Sequence, residues 1–415
     1  MQKAREQIRR GVERAAELWS REAVLLTALV ALVGMFAVTK VAVNFYSTRR
    51  AHLGRMWFNR GVQALKASQA NLAIEDLRTS LSYDPDSSEC QFRLAQALAA
   101  ANRLDEAESY FKALLNSPPD NGQTNSKALL ISSAGSGEIN LELARLEARK
   151  DDSDAVNYYN NAIYGVWYSA GGVSPLERRW QARMELTHYW LSQHNIPQAQ
   201  SELLALAANV PPGDYARRTE VAQLQLQAQA PRPALAQFQQ ALREKLRYPP
   251  ALEGAGSAEI AIENYRDAIP YLQDAALLDP KNAQARKQLA LAELVVASDP
   301  FTFGLGERER ADRAISALRQ AQAALSGCAT QRGVSLQAKP AQGVLQQTWS
   351  WGQQMLPLTR RLSRNPRNVL EVMKFASTAE DLVASECGPL QGKDQALWLI
   401  GKKYNLMQAS SPSGK

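Results

Sequence analysis

The side chains best suited to metal ligation or covalent catalysis are scarce in this sequence, with three His and three Cys in 415 residues. His52 stands alone, and His188 and His194 flank Trp190. Two helical ligands for one ion need a spacing of three or four residues, whereas these two are six apart. They read as ordinary surface or packing histidines. No Cys-x-x-Cys occurs. The run Ser132–Gly137 (SSAGSG) has the small residues of a phosphate-cradling loop but lacks the Lys-Ser/Thr pair that would reach phosphate and metal. It reads as a connector, and Gly304-Leu-Gly306 is no stronger. The sequence thus offers no catalytic, cofactor-binding or metal constellation, and we expect a protein that is not an enzyme and needs no cofactor.

The cysteines carry a different message. Cys90 falls at the start of an expected helix and reads as packed. Cys328 and Cys387 fall at loop-like boundaries near the C-terminus, where a disulfide would stabilise by ~4 kcal/mol on loop-entropy grounds. Pairing would imply an exported body, but the spacing alone leaves open two unrelated thiols. The aromatic cluster Tyr158, Tyr159, Tyr164, Trp167 and Tyr168 is dense for a chain with 7% aromatics. Tyr159 fits a core position. Tyr158, Tyr164, Trp167 and Tyr168 are candidate partner-binding residues, because Tyr and Trp anchor partner segments in grooves; packing of a loop is the competing reading.

Charge points to a membrane. The formal net charge is +7, and residues 1–60 account for all of it with 11 Lys+Arg against four acids. The remaining 355 residues carry 37 of each sign. A nucleic-acid binder needs a basic stripe on its folded body, so nucleic acid is not an expected partner. The excess instead flanks Ala23–Thr39, 17 uncharged and mostly apolar residues. Lys40 can snorkel, and Val41–Tyr46 extends the run to bilayer length. We expect an uncleaved signal anchor over 23–46, preceded by a basic helical segment over 1–22, rather than a cleaved leader or a core helix. Flanks of six and five basic residues barely decide the orientation.

Self-similarity organises the rest. Gly61 and Ala95, Ala73 and Ala107, Leu77 and Phe111, and Pro85 and Pro119 are each 34 residues apart. The period returns at Ala234 and Ala268, Phe238 and Leu272, and Ala241 and Ala275. Small residues recur where helices would cross, large ones where hairpins would meet, and prolines where second helices would stop. The stretch Ala251–Pro280 keeps the full register, with Pro270 placed in a first helical turn. Residues 283–325 read as a last copy with an expanded turn over Ser298–Arg310.

On these residues the sequence resembles the tetratricopeptide repeat (TPR), a helix–turn–helix unit. The resemblance covers about residues 54–325. It implies an all-α fold: an N-terminal transmembrane helix, an α-solenoid of about six to seven repeats, and a helical C-terminal cap over 326–405. Residues 406–415 read as a disordered tail. Phe58 and Val62 stand where chaperone-docking members have Lys and Asn, so that clamp is absent.

The implied function is a membrane-anchored scaffold binding partner proteins or extended peptides in an envelope complex. Its expected place is a bacterial inner membrane, with residues 23–46 in the bilayer and the body in the periplasm. A permanent structural subunit of a respiratory, photosynthetic or transport complex is the alternative, as is a cytoplasm-facing adaptor.

Overall fold

The structure is a computed structural model that describes residues 2–116, 136–167, 173–337, 343–364 and 366–407. Helices dominate, and no strand occurs among the described residues; the backbones of Ser136 and Val166 make an isolated parallel bridge. The chain divides into two compact units, Met1–Leu186 and Thr187–Lys415.

The first unit begins with α1 (Gln2–Lys66), a single helix of 65 residues. No proline precedes Pro85, and isolated glycines cost a helix only ~1 kcal/mol each, so nothing in the sequence stops it earlier. From Leu26 to Tyr46 its side chains are exposed, Phe36 at 68% and Tyr46 at 69% among them. This stretch makes α1 long and apolar enough to cross a membrane. The expected basic segment, the anchor stretch and the first repeat helix are therefore one uninterrupted rod.

Helix α2 (Ala70–Tyr83) runs back along α1. Ser80 Oγ donates to the carbonyl of Gly54 at 2.9 Å. At Gly61 a Cβ would lie 2.7 Å from Leu77 Cγ, so only glycine lets the two helices close here. Next come α3 (Ser88–Ala100), α4 (Leu104–Asn116), α5 (Gly137–Lys150), α6 (Asp154–Tyr164) and α7 (Pro175–Ser192). Apolar residues at helical spacing fill the space between hairpins, with Phe92 and Phe111 edge-to-face at 5.6 Å. Every described small or large residue of the first two copies of the period is buried at crossing or inter-hairpin positions: Ala73, Leu77, Ala95, Ala107 and Phe111 are each 0% exposed. Pro119 lies outside the described residues.

The second unit, which takes in the end of α7, continues with α8 (Ile196–Ala208), α9 (Tyr215–Gln227), α10 (Pro231–Glu244), α11 (Pro249–Ala261), α12 (Tyr265–Leu278) and α13 (Ala283–Ser298). At Gly256 a Cβ would lie 2.5 Å from Leu272 Cγ, repeating the Gly61–Leu77 contact at the same sequence separation. Pro270 departs from expectation. It falls inside α12, in its second turn, because Asn264 rather than a later residue caps the helix. The carbonyl of Arg266 therefore loses its helical donor.

The last copy also departs. Helix α13 packs on the preceding α12 and on the C-terminal α17 (Gly392–Lys403), and only lightly on the following α14 (Glu307–Arg332). Helix α14 runs straight through 325 and 326, packing along α16 (Pro366–Cys387), with α15 (Val344–Met355) and a 3-10 turn over Leu356–Arg364 between them. The cap thus starts inside a helix that the period assigned to the repeats. Asp299, 3% exposed, accepts from Tyr404 Oη at 2.8 Å and ties the chain's last described helix to the end of α13. The expected disordered tail lies outside the described residues from 408 onward.

Candidate partner-binding face of the repeats

First helices of successive hairpins lie side by side in this arrangement, and their polar residues link up in a fixed register. Ala95 on α3 and Ala144 on α5 are crossing residues, both fully buried. One position after Ala95, Gln96 donates Nε2 to Oε1 of Glu142, which stands two positions before Ala144, at 2.8 Å. One position after Ala144, Arg145 reaches Glu185 on α7 with two parallel bonds at 2.8 and 2.7 Å. Glu185 stands two positions before the buried Thr187.

The same relation recurs in the second unit. Ser257, one after Gly256, donates to Gln288 on α13 at 2.9 Å. In the first unit the links join into a ladder. Arg93 donates to Gln96 at 2.8 Å, Arg145 also meets Glu142 at 3.2 Å, and Gln181 donates to Glu185 at 3.1 Å. Arg145 is 35% exposed. The paired carboxylates hold its guanidinium further above its ordinary range, the Glu185 bonds being the main cause. A half-buried ladder of amides, carboxylates and guanidinium can hydrogen-bond the backbone of an extended segment. It contains no nucleophile with an adjacent base. Among the described residues no group of three or more His, Cys, Asp and Glu is placed to hold a metal.

The aromatic candidates separate. Trp167 is 7% exposed: its Nε1 donates to the carbonyl of Ala162 at 2.7 Å, and its ring covers Gly137, where a Cβ would come within 2.3 Å. Tyr158 is half-buried against the core of the first unit. Tyr164, at the end of α6, is 76% exposed, and its hydroxyl accepts from Arg183 at 3.4 Å. Tyr168 lies outside the described residues, as do residues 132–135 of the Gly-Ser run. Of the remainder of that run, Ser136 caps α5 by accepting from Ile139 N–H at 3.4 Å.

Cys328 and Cys387 are joined in the structure, their Cα atoms 5.7 Å apart. Cys387 ends α16, as its place before Gly388-Pro389 suggests, but Cys328 lies within α14 rather than at a boundary. His194 occupies a left-handed turn position, φ 54°, at the end of α7. Cys90 is 1% exposed, and burial pushes its thiol up to about 11.

The sequence reading followed apolar residues and so passed over Gln96, Glu142, Arg145, Glu185, Ser257 and Gln288. A signal was present at Ala95 and Ala144: polar residues stand two positions before and one after each, Arg93 and Gln96 in the first case and Glu142 and Arg145 in the second.

Comparison with protein families matches two models described as tetratricopeptide repeat, over residues 64–130 and 253–295. Over these two stretches the chain carries tetratricopeptide repeats. The first match lies in the first unit, its described part over 64–116 running from the end of α1 through α4, and the second lies in the second unit, over α11 to α13. Among solved structures, YrrB, a TPR protein with an unusual peptide-binding site, is 15% identical. It covers 51% of this chain and 95% of its own at a TM-score of 0.34. PilW, a type IV pilus biogenesis factor, is 16% identical, covering 56% of this chain and 96% of its own at 0.36. The C-terminal part of a TPR protein from Cytophaga hutchinsonii is 14% identical, covering 62% and 92% at 0.42. Likenesses of this size carry no argument about partners. No curated protein matches the chain.

Proposed function

We propose that this TPR chain is a non-enzymatic scaffold, held in a membrane by residues 23–46, that binds partner proteins so as to assemble or stabilise an envelope complex. The observation that carries the reading is the double role of α1. One continuous helix supplies an exposed apolar stretch of bilayer length and then, from Gly54 to Lys66, the first helix of the first repeat. Repeats of this kind bury their apolar faces against neighbours and leave a first-helix surface open to extended segments. In the first unit the ladder from Arg93 to Glu185 holds the polar groups such a segment would meet, and in the second unit, taken by itself, the Ser257–Gln288 pair does. We therefore place the partner contact there rather than at Tyr158, Tyr164 or Trp167.

The Cys328–Cys387 bridge supports a body in an oxidising compartment, since cytosolic thiols are kept reduced. In a bacterium that compartment is the periplasm, with the anchor in the inner membrane.

Photo-crosslinking in native membranes tests the proposal, with a photoreactive residue replacing Gln96 or Ser257 in the full chain. Crosslinks to one or a few exported proteins are expected. Exclusively cytoplasmic partners would reverse the topology, and extraction of the chain by alkaline carbonate would remove the anchor.

A further inference from the structure

The two edges of the first unit differ sharply in chemistry. Arg50 Nε on α1 donates to the carbonyl of Tyr83 at 2.7 Å, so the end of α2 lies beside the part of α1 nearest its apolar stretch. Only the four residues 84–87 separate α2 from α3, which therefore starts on the same edge. Helix α5 runs parallel to α3, because Gln96 meets Glu142 while Arg149 further along reaches the carbonyl of Ala99 at 2.9 Å. Its first residue, Gly137, donates N–H to Val166 at 3.0 Å, which brings the end of α6 to this edge. Arg178 near the start of α7 lies 3.7 Å from Glu138. The tips at 84–87, 136–137, 164–167 and 173–178 therefore all lie on the side from which α1 enters.

At the 164–167 and 173–178 tips that edge exposes apolar side chains, whereas the 84–87 tip exposes Asp84 and Asp86. Tyr164 is 76% exposed, Val166 51%, Val173 38% and Leu176 74%. Arg178 and Arg179 stand beside them, Arg179 donating to the carbonyl of Gly165 at 3.1 Å. The opposite edge consists of the turns 67–69, 101–103 and 151–153, which contain only Ala, Ser, Gln, Asn, Arg and Asp. An exposed cluster of aromatic and aliphatic side chains rimmed by arginine suits the boundary between headgroups and acyl chains.

The height fits as well. Arg50 lies four residues beyond Tyr46, or ~6 Å along a helix, and a headgroup layer adds ~5–7 Å to each side of the hydrocarbon. We infer that the tip edge of the first unit rests on the bilayer surface, with Tyr164, Val166 and Leu176 entering the headgroup boundary as a second membrane contact beside α1. The inference builds on the anchor proposed above. It assigns Tyr164 to lipid rather than to a protein partner.

Depth-dependent quenching tests it in the full chain. Environment-sensitive fluorophores are placed on single cysteines at Phe36, Tyr164, Leu176 or Ser153 in a Cys90→Ala background, with the native bridge left oxidised. The protein is reconstituted in vesicles of phosphatidylcholine and anionic phosphatidylglycerol, brominated near the headgroup end of the acyl chains. Probes at Phe36, Tyr164 and Leu176 should be quenched several-fold more than the probe at Ser153 on the opposite edge. Quenching at Phe36 with Tyr164 and Leu176 no different from Ser153 overturns the edge contact and leaves the anchor standing. An unquenched Phe36 overturns both. Crosslinking of Leu176 in native membranes to a protein rather than to lipid also overturns it.

Discussion

Glu380 shows how much a single side chain sets the behaviour of the cap. It is 0% exposed on α16, and neither carboxylate oxygen has a hydrogen-bond partner. Burial, helped by the charge of Asp394, pushes its carboxyl from 4.5 up to about 8. The folded state keeps a proton that the unfolded chain releases, so this residue's contribution to stability falls as pH rises from about 4.5 to about 8. Glu380→Gln should remove that slope and raise stability by a few kcal/mol above pH 8. Urea midpoints of the two proteins across pH 5–9 check this, and parallel curves would refute it. A second residue-scale prediction concerns Gly254. A Cβ there would lie 2.2 Å from Phe238 Cζ, whose ring is fully buried and has nowhere to retreat. Gly254→Ala should cost about 1–3 kcal/mol by overpacking, and Phe238→Leu in the same chain should recover part of it. Gly256 was legible from the 34-residue period, whereas Gly254 was not. Its constraint comes from the preceding hairpin, which no spacing within one repeat reveals.

At the scale of elements, six helix pairs close with one backbone device. Ser68, Asn102, Asp151, His194, Gln229 and Glu263 all have positive φ, from 54° to 66°. The next residue in each case donates back across the turn, as Gln69 does to Ala64 at 2.9 Å and Ala230 to Gln225 at 2.8 Å. These are Schellman caps built without glycine. Gln229→Gly should relieve the left-handed strain and raise stability by up to about 1 kcal/mol; a lower melting temperature would contradict it. Six different residue types fill this position, and so the device left no pattern to read, although its backbone recurs with the period. Helix existence and the crossing residues were legible because burial demands particular sizes at particular spacings. The end of the array was not, since α14 continues through it without a cap, a glycine stop or a proline. The bridge between α14 and α16 ties that region. Its reduction should lower the stability of the cap by about 4 kcal/mol, seen as a calorimetric transition that shifts with reductant in the wild type but not in a Cys328→Ala/Cys387→Ala chain.

For the molecule as a whole, the sequence shows the membrane segment (23–46) and the repeats (from about 54) as separate stretches with a connection between them. The structure has no connection: α1 passes from one to the other as a single helix. Such a rod sets azimuth as well as height. Each residue added just after Tyr46 would turn everything beyond it by ~100° about the helix axis and lift it ~1.5 Å. A series of one to four inserted alanines should therefore give a periodic response in photo-crosslinking from Gln96. One and two residues should misdirect the partner face, and four should bring it back nearly to its original bearing. A smooth decline with insert length would mean that the junction bends like a tether. A periodic one would mean that the membrane end of α1 dictates the compass direction in which the repeats present themselves, so that any neighbour able to rotate the anchor could steer the scaffold.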